Sequence, residues 1–203
     1  TCVANDGGIS EYFNIYNCRF RSTLTGTGAL WPVGIGPDDA ISDEQAADGL
    51  VDSCWFEPSA RLRRPLQFWA DFCTARNNLF DMSAYDTNEQ SIGVLVEVRG
   101  IEGVHDGCEI YNNTLYGGTL ATTFWPIIID TGTGHLVKNN IAYSPSSTAR
   151  DMVSGVGSWT ETGNSSDAQI LTDPNFASAS PVNPADFQIT TNSYGKQAGS
   201  ESV

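Results

Sequence analysis

Acidic side chains crowd two segments of the chain. Gly36 to Asp48 carries Asp38, Asp39, Asp43, Glu44 and Asp48, and Arg99 to Gly107 carries Glu102, His105 and Asp106. Carboxylates about 5 to 10 Å apart can divide acid and base roles in glycosidic cleavage, which makes Asp38, Asp39 and Asp106 catalytic candidates. Converging carboxylates can instead hold Ca²⁺, a hard cation that takes several oxygen ligands. On that reading Asp39, Asp71 and Asp106 are the ligand candidates and Ca²⁺ is the one cofactor in view. A third reading competes with both, because aspartate in turns caps and bends the backbone. Arg61, Arg63 and Arg64 form the basic cluster. Guanidinium groups there could neutralise a uronate carboxylate during proton abstraction, with Arg63 the catalytic candidate. They could also fork onto carboxylates in plain binding, or pair with the protein's own excess acid. Trp31, Trp55, Trp69, Trp125 and Trp159 are the candidate exposed aromatics, joined by Tyr16 and Tyr111. Flat rings on a long face stack sugar rings, and they also cover loops or meet neighbouring subunits. Trp55, Trp69, Tyr111, Arg61 and Arg64 are the glycan-contact candidates.

Bulk composition narrows the partners. The 203 residues carry a net charge of -14, from 24 acidic and 10 basic side chains. Such a surface repels phosphate backbones and anionic lipid, so neither nucleic acid nor membrane is expected as a partner. No apolar run approaches the roughly 20 residues of a membrane-spanning helix. Thr1-Cys2-Val3 does not read as a translation start, so a removed leader or a longer parent chain is expected. None of the five cysteines sits in a CxxC pair, which excludes a zinc ribbon or a thioredoxin-type motif. The odd count reads as mainly buried thiols with at most one or two disulfides.

The positioning elements come from an internal repeat. Five segments share the form apolar, any, Asn or Ser, Asn or Cys, any, apolar. They run from Ile15 to Phe20, Val51 to Phe56, Ala75 to Phe80, Ile110 to Leu115 and Val137 to Ala142, with a weaker copy around Asn164. The fourth position falls on Cys18, Cys54, Asn78, Asn113 and Asn140, at intervals that vary from 24 to 36 residues. Unequal intervals around a fixed core fit stacked strands joined by turns of variable length. Between the copies, Leu66 to Phe72 and Ile92 to Val98 alternate with period two, as half-buried strands do. An inward Asn at each sharp bend, stacked about 4.8 Å from the next, would form an amide ladder. Cys18, Cys54, Asn78, Asn113 and Asn140 are the expected column. In this register both acidic turns precede the Asn strand, so they fall on one edge, with Asp71, Asp130 and His135 on neighbouring coils.

The Ile110-Tyr111-Asn112-Asn113 and Val137-Lys138-Asn139-Asn140 segments resemble right-handed parallel β-helix repeat proteins, of pectate-lyase-like and phage-tailspike-like type. The tail is similar to the closing coils of many bacterial and phage members. It reads Asp173-Pro174-Asn175-Phe176, then Asp186-Phe187-Gln188-Ile189, then Lys196-Gln197-Ala198-Gly199. The resemblance spans nearly the whole chain. It implies an all-β, right-handed parallel β-helix of about six to seven coils, with residues 1–170 forming the coils and 171–203 a closing cap of the same domain. Asp38-Asp39 also resembles the paired aspartates of polygalacturonases, but the Asn-Thr-Asp, Gly-His-Gly and Arg-Ile-Lys motifs are missing. The family resemblance implies an extracellular or virion-surface component contacting polysaccharide, such as a tailspike, fibre, capsid-decorating protein or adhesin. A homotrimer or larger assembly goes with it. The alternative is a polysaccharide lyase or glycoside hydrolase acting on uronate-containing glycans.

Overall fold

A computed structural model of the chain describes residues 13–21, 33–35, 48–58, 64–84, 91–96, 104–118, 124–146, 151–170, 172–178, 181 and 183–189. Short apolar runs punctuated by Asn, Asp and Gly favour brief strands over helices. In chain order the strands are β1 (Phe13–Tyr16), β2 (Arg19–Phe20) and β3 (Val33–Ile35); β4 (Gly49–Asp52), β5 (Trp55–Phe56) and β6 (Leu66–Phe68); β7 (Thr74–Arg76), β8 (Leu79–Asp81) and β9 (Ser91–Val96); β10 (Glu109–Tyr111), β11 (Thr114–Tyr116) and β12 (Phe124–Ile129); β13 (His135–Lys138), β14 (Ile141–Tyr143) and β15 (Val153–Ser154); and β16 (Trp159–Thr162). Each strand pairs in parallel with the strand three places on. The first sheet runs β1-β4-β7-β10-β13-β16, the second β14-β11-β8-β5-β2 and the third β15-β12-β9-β6-β3. The protein is therefore all-β with parallel sheets, and the chain visits the three sheets in a fixed order.

All three sheets feed one apolar core. The first contributes Val51, Ala75, Ile110 and Val137, the second Phe56, Phe80, Leu115 and Ala142, and the third Leu66, Val94, Ile127 and Val153. Because the strands stack in register, like residues meet like. The rings of Phe20, Phe56 and Phe80 stack at 4.7 Å and 4.6 Å between centroids. Each buried aromatic contributes about 2 to 3 kcal/mol of transfer free energy.

The sharp bend between the first and second sheets uses two residues with separate jobs. Asn17, Ser53, Asn77, Asn112 and Asn139 all have φ between 52° and 57°, a left-handed conformation that short polar side chains tolerate. The next residue points inward. Asn113 Oδ1 accepts from the Asn78 backbone N–H and from Asn78 Nδ2, both at 3.0 Å. Its own Nδ2 donates to Ala75 O at 2.9 Å and Asn140 Oδ1 at 2.9 Å. All four hydrogen-bonding valences of that amide are filled. Asn78 and Asn140 repeat the arrangement, and Asn164 continues the column. Cys54 stands below Asn78, its backbone N–H donating to Asn78 Oδ1, and Cys18 stands below Cys54.

Period-two alternation does not carry β6 as far as Phe72. The strand ends at Phe68, and Phe72 turns a second corner with φ 52° and 56% of its surface exposed. Its ring lies against Gly107, where a Cβ would approach Phe72 Cδ1 to 2.5 Å and push the ring aside.

Two features finish the second sheet. A helical turn, Asp167–Ile170, buries Ile170 beside β14 and accepts the Ser144 N–H. The segment that follows folds over the sheet's outer side, where Phe176 and Phe187 pack on Tyr116 and Tyr143. Phe187 closes a 3-10 turn whose Asp186 carboxylate accepts the Asn183 N–H.

The two bend positions should respond differently to mutation. Asn113→Ala removes four buried hydrogen bonds, among them those that the Asn78 N–H and Ala75 O make to this amide, and should lose about 3 kcal/mol or more in urea titration. Asn112→Gly should change stability by less than about 0.5 kcal/mol, whereas Asn112→Val should lose roughly 1 to 2. Equal losses at both positions would contradict the division of labour.

Candidate functional site

The acidic edge is used to build corners. Asp71 Oδ1 accepts the Asp106 N–H at 2.8 Å, and Asp106 Oδ1 accepts the Thr133 N–H at 2.6 Å. Each carboxylate thus caps the bend of the next rung instead of converging with its neighbour. Among the described residues no three His, Cys, Asp or Glu side chains are placed to hold a metal ion; Asp39, the third of the calcium candidates, lies outside them. Asp38, Asp39, Arg61 and Arg63 lie outside the described residues.

Both histidines expected along the open edge are inside the protein. His105 is fully buried, with Nδ1 3.7 Å from Asp71 Oδ1. Burial pushes its imidazole below the ordinary value, against the pull of Asp71. His135 lies on the Cys108 N–H through Nδ1 at 3.1 Å and on Thr131 O through Nε2 at 2.9 Å. Burial opposes its charge too, but contact with the Cys108 sulfur lifts it above the usual value. A histidine beside Gly or Asp reads as a surface turn residue; here the corner turns the imidazole inward.

The aromatic candidates divide in the same way. Trp69 is only 6% exposed, which removes it as a sugar-stacking platform. Trp55 is half-buried beneath the Arg19 guanidinium, 4.4 Å from its ring centroid. Trp125 is half-buried on Ile128, Trp159 is half-buried at the end of the core, and Arg64 is half-buried before β6. A cleft of about 490 Å³ lies beside Trp159 and is lined also by Asp151, Met152 and Glu161.

The outer face of the first sheet gathers the open chemistry. Tyr16, Asp52, Arg76, Tyr111, Lys138 and Thr162 occupy one register position on six successive strands, spaced at about 4.8 Å. Arg76 reaches Asp52 Oδ2 through Nε and Nη2, each at 2.8 Å, and donates to the Tyr111 hydroxyl at 3.2 Å. Lys138 Nζ lies 5.2 Å from the Tyr111 ring centroid. Burial would raise the Asp52 carboxyl, but donors from Asn77, Ser53 and Arg76 outweigh it and hold the group below its usual value. The hydrogen bond to Tyr111, followed by that to Asp52, raises Arg76. The result is a rigid row of rings and charges, with Tyr16 47% exposed at one end.

A second constellation was missed in the sequence. Glu57 and Asp81 are in-register neighbours, one position beyond the stacked Phe56 and Phe80. Glu57 is paired with Arg19 and with Arg21, the latter at 2.6 Å. Asp81 is fully buried, and desolvation pushes its carboxyl up. Its Oδ1 accepts the Ser83 N–H at 3.0 Å, while Oδ2 has no hydrogen-bond partner. Both residues lie three places after the bend column, at Cys54 and Asn78, so the repeat register would have aligned them.

In comparison with known proteins, no family model, curated protein or solved structure matches the chain.

The Asp81 environment fixes a pH dependence. Its folded-state value lies above the ordinary carboxylate value near 4, so the native state binds the proton more tightly. Stability on that account falls as pH rises through the window above about 4. Asp81→Asn keeps the Oδ1 acceptor and cannot ionise. It should melt higher than the parent at pH 7, and the two proteins should converge below about pH 4 in thermal scans.

Proposed function

We propose that the three sheets are the faces of a right-handed parallel β-helix of about six to seven coils. It serves as a structural and binding component of an extracellular or virion surface, of the tailspike, fibre, capsid-decorating or adhesin kind, and lies along surface polysaccharide. The fold reading is supported by the three-strand period and by the strong right-handed preference of parallel crossover connections. The binding reading rests on one observation, the outer row from Tyr16 to Lys138. Phenol faces there can stack sugar rings, and Arg76 and Lys138 can reach hydroxyl or carboxylate groups. The row is repetitive at strand pitch, as a polymer ligand is. Assembly into a homotrimer or larger array belongs to the same proposal; the exposed Phe72, Val104 and Val156 give it apolar surface to cover.

One observation favours the enzymatic alternative, a polysaccharide lyase or glycoside hydrolase. Glu57 and Asp81 pair an ion-paired carboxylate with one driven toward its protonated form, the division of roles that acid–base cleavage needs. The complete burial of Asp81 counts against substrate reaching it.

A single panel separates the two. The protein is titrated calorimetrically with neutral and uronate-containing polysaccharides, while unsaturated products and reducing ends are followed. Binding without turnover is expected, weakened about tenfold or more by Tyr111→Ala and by Arg76→Ala. Turnover abolished by Asp81→Asn would replace this reading with the enzymatic one, and failure to bind any glycan would remove it.

A further inference from the structure

Four of the five cysteines stand as two stacked pairs. Cys18 and Cys54 precede Arg19 and Trp55, which are register partners, and the Trp55 N–H donates to Cys18 O at 2.8 Å. Cys73 and Cys108 precede Thr74 and Glu109, also partners, and the Glu109 N–H donates to Cys73 O at 2.8 Å. Each pair therefore spans adjacent parallel strands at directly opposed positions. In both pairs the later sulfur leans back over the earlier rung. Cys54 Sγ reaches Ile15 O at 3.7 Å, and Cys108 Sγ reaches Ala70 O at 3.5 Å. All four are thiols in this structure.

We infer that Cys18–Cys54 and Cys73–Cys108 are the disulfides of the oxidised protein, each stapling one rung to the next. In-register parallel neighbours lie about 4.8 Å apart at Cα, inside the range of about 4.4 to 6.8 Å that a disulfide spans. The thiols of each pair are near enough to influence each other's charge, so closing the S–S bond is a matter of turning the two side chains toward one another. Cys73 and Cys108 are fully buried, which places their oxidation in folding, before the core closes. The oxidant is a small-molecule disulfide such as glutathione disulfide. One cysteine thiolate attacks it, expelling a glutathione thiolate and leaving a mixed disulfide. The partner thiolate then attacks the protein sulfur of that mixed disulfide and expels the second glutathione. Two protein thiols lose two protons and two electrons, and the oxidant becomes two thiols. The inference is independent of what the outer face binds.

The test is refolding in a glutathione–glutathione disulfide buffer, then denaturation, alkylation without reductant and peptide mapping. Peptides joined through Cys18–Cys54 and Cys73–Cys108 are expected, and reductant should lower the Tm of the oxidised protein by roughly 5 to 15 °C. Cys54→Ala and Cys108→Ala should each free one partner for alkylation and leave the other bridge intact. Full alkylation of all four cysteines after oxidative refolding, or any other pairing, would overturn the inference. So would equal Tm values for the oxidised and reduced protein. The mapping uses the unaltered chain, so a variant that failed to fold would leave the test in place.

Discussion

The structure depends on the inward amide column at one corner. The chain passes from the first sheet to the second through two residues, and the bend leaves backbone N–H and C=O groups facing an apolar interior. Burying such groups unpaired costs about 1 to 3 kcal/mol each. The asparagines turn that cost into a bond between rungs, because each amide accepts from one neighbouring rung and donates to both. The column works only if successive bends superpose, so it fixes the register of the strands on either side. A one-residue slip would reverse which side chains face the core.

Once register is fixed, every position becomes a column, and columns restrict which residues can be neighbours. Aromatic rings profit, as in Phe20, Phe56 and Phe80. Charges do not, since like charges directly opposed are destabilising. The outer row obeys this with Asp52, Arg76, Tyr111 and Lys138, in which a phenol ring separates the two cations. The neighbouring pair Glu57 and Asp81 breaks the rule and is relieved twice. Arginines neutralise the first carboxylate, and burial drives the second toward its protonated form. The same superposition places cysteine opposite cysteine.

The repeat was legible because two physical requirements, a left-handed residue and then an inward amide, leave a doublet such as Asn112-Asn113. The last copy was faint for a reason the structure supplies. There Gly163 takes the left-handed role and Glu161 replaces the apolar residue, so the residue types changed while Asn164 kept its part. The second corner was not legible. Its left-handed residues are Asp48, Phe72, Gly107 and Gly134, which share no side-chain chemistry. Phe72 therefore read as one more inward residue of a strand, and His105 and His135 read as turn residues when they are buried. The carboxylates were read as open groups because sequence shows a charge but not its donor. The backbone N–H groups that occupy Asp71 and Asp106 belong to rungs 35 and 27 residues further on.

Among the described residues, the inward apolar position of the first sheet ends on a charge. Along the first sheet the inward position passes through Val51, Ala75, Ile110 and Val137 and then reaches Glu161 on β16. The Glu161 carboxylate takes a hydrogen bond from Asn164 Nδ2 at 3.1 Å and remains exposed beside the open cleft. A further strand laid on β16 in register would have to bury that charge, at a cost of several kcal/mol. A bare strand edge otherwise templates indiscriminate pairing, and an inward-pointing charge is one of the devices that suppress it. At the second sheet the same problem is met differently, by the helical turn that sets Ile170 against β14. Among the described residues the two sheet edges thus differ, one presenting a charge and the other covered, although a single amide column holds both in register.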